Sequence, residues 1–383
     1  MLDWLIIGGG LHGSHIALRL SAALPQAEVA VLDPNTHALT AWQRRADACG
    51  MYFLRSSQAH HLGLRADALR IFARQHGLTG CDHALGRYRR PSRALFEAHV
   101  HAVVAPVTRI CATAVTIEPI AGGWQLFTRA GLTQRARRIV LVPGPPAPAR
   151  PPWGKHLLHV LDDDFSQRYS TWSSKQHVVI VGGGLSAAQR AIACARQGQA
   201  VTLLSRHRLQ QAAFDSNPCF SGPRCLQPFL RRPMAERPAI LEAARNPGTL
   251  PPDIESELAS FQDNGTIRYL QGVVRTIRDD GLQLTDSRHI TADHIILATG
   301  FTTSAGELLE DIATRLQLPL DNHGYAAIDK HLAWAPGLYV GGRPASLQLG
   351  PMAGNIRGAQ LAASTLATIA NRSATTSASV VTP

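Results

Sequence analysis

The sequence predicts an α/β fold of two three-layer units, the second inserted into the first. One internal repeat carries that prediction. Leu5-Ile6-Ile7 leads into Gly8-Gly9-Gly10-Leu11-His12-Gly13, and Val178-Val179-Ile180-Val181 leads into Gly182-Gly183-Gly184-Leu185-Ser186-Ala187. Each turn opens a helical stretch, Ile16-Ala17-Leu18 in the first and Ala191-Ile192-Ala193 in the second. Another apolar strand follows each, Val29-Ala30-Val31-Leu32 and Ala200-Val201-Thr202-Leu203-Leu204. The order is strand, turn, helix, strand, twice over.

Between the repeats, residues 92–104 read as a helix and 113–142 as strands, with Gly122-Gly123 as a turn and Ile139-Val140-Leu141-Val142 as a buried strand. Pro143-Gly144-Pro145-Pro146-Ala147-Pro148 is a rigid connector and a natural boundary. The second unit closes on Ile295-Ile296-Leu297. One more strand, Gly337-Leu338-Tyr339-Val340, and a helix from about residue 354 to 370 follow. The expected partition is 1–165 and 301–370 for the first domain and 170–300 for the inserted one. Residues 371–383 are small and polar and are expected to be a disordered tail.

Composition narrows the classes. Of 383 residues, 45% are hydrophobic and 17% charged, so a large core is available and a disordered chain is excluded. No apolar run approaches the roughly 20 residues that span a bilayer, and a cytoplasmic protein is expected. The six cysteines (Cys49, Cys81, Cys111, Cys194, Cys219 and Cys225) form no C-x-x-C and no zinc pattern. They read as reduced, idle thiols, and no metal site is expected. The net charge of +11 lies in small scattered groups such as Arg44-Arg45 and Arg231-Arg232, with no nucleic-acid motif beside them. It fits solvated faces and phosphate-rich cofactors better than nucleic acid.

In the first repeat, Gly8-x-Gly10-x-x-Gly13 has its required context of strand before and helix after. Gly8 permits the tight turn, Gly10 lets the backbone approach a pyrophosphate, and Gly13 lets the helix pack on the strand. The helix start offers free N–H groups to the phosphates. Asp33, at the end of the second strand, is placed to bind the ribose hydroxyls of an adenosine. In the second repeat, Gly182-x-Gly184-x-x-Ala187 is the variant with alanine third. Where the first unit has an acid, this one has Ser205 and Arg206, with Arg208 nearby. A cation and a hydroxyl suit a 2′-phosphate, which favours NADPH over NADH. A nicotinamide delivers hydride, and a flavin is the usual acceptor in such a pair. The cofactors expected are therefore FAD and NADPH.

With these Rossmann-like units the chain resembles the flavin-containing monooxygenase superfamily, above all the lysine and ornithine N-hydroxylases. Four further segments carry the likeness. Cys49-Gly50-Met51-Tyr52-Phe53-Leu54-Arg55-Ser56-Ser57 resembles the loop lining flavin and substrate. Gly144 to Trp153, with His156-Leu157-Leu158-His159, resembles the link after the first domain. Phe214-Asp215-Ser216-Asn217-Pro218 resembles a loop after the nicotinamide unit. Ala298-Thr299-Gly300-Phe301 resembles the turn leading back to the FAD domain. The chain departs from many two-site flavoproteins where Gly341-Gly342-Arg343 replaces a Gly-Asp pair. The Gly350-Pro351-Met352-Ala353-Gly354-Asn355 loop is then the candidate to hold the flavin. The Baeyer–Villiger pattern is absent, and so is the C-x-x-C of disulfide reductases.

The resemblance implies transfer of one oxygen atom from O2, through a flavin hydroperoxide, to an amine nitrogen or sulfur of a small molecule. The pocket residues it offers are Arg55, Ser57, His60 and His61, although adjacent residues such as His60-His61 rarely face one site and the pair also reads as structural or surface. Arg55 is the candidate to hold a nicotinamide or an anionic substrate group. A reductase or dehydrogenase without oxygen transfer, and a redox-sensing flavoprotein, remain alternatives. The oligomeric state is left open.

Overall fold

The computed structural model describes residues 1–378, with side chains described through residue 371. Strand β1 (Leu2–Ile7) is buried from Trp4 onward and runs into Gly8. Helix α1 (Leu11–Ala23) returns the chain to β2 (Val29–Asp33), which lies parallel to β1. Helices α2 (Thr40–Cys49) and α3 (Arg93–Val104) precede β3 (Arg109–Cys111), parallel to β2. An antiparallel meander follows: β4 (Ala114–Ile120), β5 (Gly123–Thr128) and β6 (Thr133–Leu141). The end of β6 then lies parallel to β1 on its free side, Ile7 opposite Leu141.

The second sheet is wholly parallel, and its central strands are the almost unbroken apolar runs that such a sheet buries on both faces. Its strands are β7 (Leu158–His159), β8 (His177–Val181), β9 (Ala200–Ser205), β10 (Ile267–Gln271) and β11 (His294–Leu297), in the order β10-β9-β8-β11-β7. Helix α4 (Leu185–Arg196) crosses from β8 to β9. Because β7 pairs with β11, this sheet draws on residues before the expected start at 170. Between β9 and β10 the chain makes an excursion that sequence periodicity does not reveal. It leaves at Gln210–Gln211 and returns alongside at Thr249–Leu250, with α5 (Pro223–Arg231) and α6 (Arg237–Ala244) between. Helix α7 (Pro252–Asp263) follows and leads to β10.

The chain then returns to the first sheet. After α8 (Glu307–Leu316) come β12 (Ala333–Ala335) and β13 (Leu338–Val340), and β13 pairs in parallel with β6. The main order of that sheet is β12-β13-β6-β1-β2-β3. Strands from both ends of the chain thus enclose the second sheet, the insertion that the repeat predicts. The two connections run side by side: Ala149 donates from its backbone N–H to Gly300 at 2.8 Å, Thr302 donates to Ala147 at 3.0 Å, and Pro148 bridges Phe301.

Helix α9 (Ile356–Ala378) packs along α1, burying Ala359, Ala362, Ala363 and Leu366 against the core of Leu5, Ile6, Ile16 and Leu20. Each fully buried Leu or Ile contributes ~1.5–3 kcal/mol relative to exposure. The helix continues past Asn371, correcting the expected disordered tail as far as Ala378. Residues 371–378 contain neither glycine nor proline, so nothing stops the helix there. Residues 379–383 lie outside the described residues.

A second correction concerns the cysteines. Cys219 and Cys225 form a disulfide, with Cα atoms 5.5 Å apart. The turn at Gly222-Pro223 brings them together, and their spacing alone does not announce it. Cys49, Cys81, Cys111 and Cys194 are free. Among the described residues no helix is long and apolar enough to cross a membrane, and no group of three or more metal-ligating side chains forms.

Candidate functional site

The first glycine turn is built as its motif demands. Gly8 has φ +102°, and a β-carbon there would sit 2.0 Å from the Val142 carbonyl oxygen. At Gly13 a β-carbon would come within 1.8 Å of the Gly8 carbonyl oxygen. At Gly10 it would meet nothing within 4 Å, so the missing side chain leaves open space over the turn. Gly10 is also the N-cap of α1, which has no side-chain cap and no acidic residue in its first turn. Free N–H groups and an open approach are what a pyrophosphate needs. Asp33 stands beside them. Its Oδ2 accepts from Gly9 N–H at 2.6 Å, and its Oδ1 accepts from Asn35 N–H and Nδ2 at 2.8 and 2.9 Å.

Arg109, at the start of β3, reaches the same turn. It donates from Nη2 to the Gly9 carbonyl at 3.1 Å and from Nη1 to Ser14 Oγ at 3.3 Å. Its buried Nε has no partner, and burial lowers its pKa. Sequence reasoning misses Arg109 because it lies 76 residues beyond Asp33 and belongs to no motif.

The loop Gly350–Asn355 is brought to this turn by the α1–α9 packing. His12, inside the first motif, donates from Nε2 to the Ala353 carbonyl at 2.9 Å, and burial lowers its pKa. Gly350 has φ +77°. Asn355 Oδ1 accepts from the N–H groups of Arg357 and Gly358, at 3.0 and 3.4 Å, and so caps α9. The turns that the sequence places 340 residues apart form one cradle.

The second turn repeats the plan. A β-carbon on Gly182 would sit 2.3 Å from the Ala298 carbonyl oxygen. Gly184 caps α4 without a side-chain bond and with no acid in the first turn. Ala187 is fully buried. Arg206 and Arg208 are exposed, and neither side chain has an acidic or hydrogen-bonding partner among the described residues. Ser205 is buried, its Oγ bonds His207 at 2.8 Å, and it lies where a β-carbon on Gly183 would stand 2.2 Å away. The hydroxyl is engaged with the His207 backbone beside the glycine turn, as Asp33 is engaged beside the first.

Thr299 and Gly300 lie in the paired connections. Thr299 donates its hydroxyl to the Ala149 carbonyl and stands 3.3 Å from His159 Nε2. His159 is fully buried, and burial lowers its pKa to about 4. Gly144 has φ +93° with open space at its α-carbon. These residues set how the two units meet.

The pocket candidates separate. Arg55 spends four of its five N–H donors on the excursion: Nε on Ala213, Nη1 on the Thr249 carbonyl, and Nη2 on the Ala212 carbonyl and on Thr249 Oγ1, the last two at 2.7 Å. It clamps the loop of the first unit to the second, and this corrects its reading as an open anion donor. Ser57 is half-buried, and its carbonyl accepts from His60 N–H. His60 is half-buried between Arg357, Asp215 and His61, and burial first, then Arg357, lowers its pKa to about 4. His61 is buried and bonded to Ala66 and Gly63, the structural role expected of it. Arg357, in the first turn of α9, is a further residue that the sequence reading misses. Its Nε donates to the Ser221 carbonyl at 2.8 Å, tying the excursion to the Gly350–Asn355 cradle.

Residues 5–146 match a family model described as FAD-NAD(P)-binding. No curated protein matches the chain in sequence. Solved structures match its fold over nearly its whole length. An ornithine N-hydroxylase from Kutzneria sp. 744, described with reduced FAD, NADP+ and L-ornithine, is 14% identical, with TM-score 0.77, covering 97% of this chain and 99% of its own. An L-lysine 6-monooxygenase from Pseudomonas syringae is 19% identical, with TM-score 0.74 and the same coverages. A bacillithiol disulfide reductase from Bacillus cereus is 18% identical at the same coverages, with TM-score 0.63.

Proposed function

We propose that the chain is an FAD- and NADPH-dependent oxidoreductase, a monooxygenase that delivers one atom of O2 to an amine nitrogen or sulfur of a small molecule. The observation that carries the reading is the contrast where the second strands of two like units end: Asp33 closes one, and Ser205 followed by Arg206 closes the other. The carboxylate, at the end of β2, suits ribose hydroxyls, and the unpaired cation, just past β9, suits a 2′-phosphate. The fold likeness supports a two-cofactor flavin oxidoreductase: the N-hydroxylases match at TM-scores of 0.77 and 0.74, and a flavin monooxygenase and the disulfide reductase both match at 0.63.

The residues fit the cofactors. Gly8, Gly10, Gly13 and the uncapped start of α1 take the FAD pyrophosphate, Asp33 its ribose, and the Gly350–Asn355 cradle its ring end. Gly182, Gly184, Ala187 and Arg206 take NADPH. When bound, the flavin supplies hydride acceptance and oxygen activation. The protein's part is to seat both cofactors, to align the units through Arg55 and the paired connections, and to present His60, Asp215 and Arg357 to the substrate.

The test is turnover of the FAD-loaded protein with NADPH under 18O2, against a panel of primary amines and thiols. One labelled oxygen atom in a product per NADPH consumed is expected. NADPH oxidation that returns all oxygen as peroxide with every compound would sink oxygen transfer and leave the reductase reading. A protein that binds no flavin would sink both.

A further inference from the structure

We propose that Cys219–Cys225 is a thiol–disulfide exchange site for small dithiols, and that its redox state sets the grip of the excursion on the Gly350–Asn355 cradle. The coupling half rests on the reading of that cradle as the flavin's ring-end seat; the exchange half does not.

Three observations carry the exchange chemistry. Both cysteines are half-buried, so a small thiol can reach them. The bond belongs to no cross-linked scaffold, because the other four cysteines are free and two of those, Cys81 and Cys111, are exposed. The two sulfurs are also unequal. Cys225 lies in the first turn of the nine-residue α5, whose N-cap Gly222 offers no side-chain bond and whose first turn carries no acid. Unsatisfied N–H groups at that helix start favour a thiolate at Cys225. Cys225 is therefore the better leaving group.

The reaction follows from that inequality. One thiolate of the dithiol attacks Cys219 Sγ, the S–S bond breaks, and Cys225 leaves as thiolate and takes up a proton. The second thiol of the reductant then attacks the mixed disulfide and releases Cys219 as a thiol. Two electrons pass from the dithiol, which becomes a cyclic disulfide, to the protein, which gains two thiols.

The coupling is geometric. The bridged loop, with Leu226 directly after it, meets the cradle and the start of α9 at three points. The Ser221 carbonyl, inside the loop, accepts from Arg357 Nε at 2.8 Å. Phe220 and Leu226 face Gly350, where a β-carbon would stand 3.8 and 3.0 Å from their Cδ1 atoms. Opening the bond removes the covalent closure that holds Phe220 and Ser221 in one small loop and ties them to the start of α5, which carries Leu226. No other disulfide forms among the described residues to hold it.

The experiment treats the native FAD-loaded protein with dithiothreitol, labels thiols with iodoacetamide, and locates the labels by peptide mass. In parallel, the FAD dissociation constant and protease cleavage within residues 212–248 are read in oxidised and reduced protein and in Cys219→Ser. Labels on Cys219 and Cys225 only after reductant, FAD binding about tenfold weaker (~1.4 kcal/mol) and faster cleavage of the excursion are expected. Labelling that needs denaturant would overturn the exchange site, as would thiols at both positions that diamide cannot close. Exchange with unchanged FAD affinity and cleavage would overturn the coupling. A protein that binds no FAD in either state sinks the functional reading and the coupling, while the labelling still decides the exchange site.

Discussion

The two glycine turns share one plan, and they differ at the third position of the motif and around the end of the second strand. In the first turn the helix packs so closely on the strand that Gly13 has no room for a β-carbon, which would stand 1.8 Å from the Gly8 carbonyl oxygen. In the second, Ala187 occupies the same place, fully buried, its methyl accommodated between helix and strand. Asp33 is held in advance by Gly9 and Asn35, whereas the Arg206 guanidinium has no partner among the described residues and only its carbonyl is engaged, by Gln271. One site is pre-organised around hydrogen bonds. The other waits as an exposed charge and draws its selectivity from whatever phosphate arrives.

The hardest way to break this comparison is to exchange the third positions. Gly13→Ala drives a methyl into backbone and is expected to cost ~1–3 kcal/mol or more, with the protein purifying free of flavin. Ala187→Gly in the same assay keeps its flavin and loses only ~1 kcal/mol, from glycine in a helix. Thermal unfolding and the flavin absorbance of the purified protein read both. If the two substitutions prove equivalent, the packing contrast is wrong.

The charges come next. Arg206→Ala is expected to raise the KM for NADPH by about ten- to hundredfold, the ~1.5–3 kcal/mol of a charge-assisted hydrogen bond, and to leave the KM for NADH nearly unchanged. An equal effect on both nucleotides would remove the 2′-phosphate assignment. Asp33→Asn keeps the shape and loses the charge. About tenfold weaker FAD binding is expected, at ~1–2 kcal/mol, with the KM for NADPH unaltered. Equilibrium flavin titration alongside steady-state kinetics tests that independence.

The smallest effect concerns pH. His15, His60 and His99, all in the first unit, have pKa values lowered by burial from 6.5 to about 4. The unfolded chain binds protons that the folded one refuses. Their contribution is therefore fully present above pH 6.5 and is lost as the pH falls through that value toward 4. His99 is buried with neither ring nitrogen hydrogen-bonded, so His99→Phe is expected to fold well at pH 8. It should also flatten the decline of melting temperature between pH 6.5 and 4. A decline as steep as in the parent protein would show that His99 is not part of it.

Much of the frame was legible in the chain because its signals are local. A βαβ unit is written in about 30 consecutive residues, with an apolar run, glycines at fixed spacing, a helix and a second apolar run. The sequence by itself determined the two sheets, the roles of Gly8, Gly13 and Gly182 in their turns, the acid at 33 and the cation at 206. Tertiary structure alone decided what joins distant segments. It bonded the Ser205 hydroxyl to the His207 carbonyl and committed Arg55 to Ala212 and Thr249, 157 and 194 residues away. It drew Arg109 to the first turn, set His12 on Ala353 across 341 residues, and closed Cys219 on Cys225 beside Gly350. The physical reason is one of range. Turn geometry and side-chain periodicity act along the chain, whereas a guanidinium takes whichever carbonyl the packing of two sheets leaves within about 3 Å.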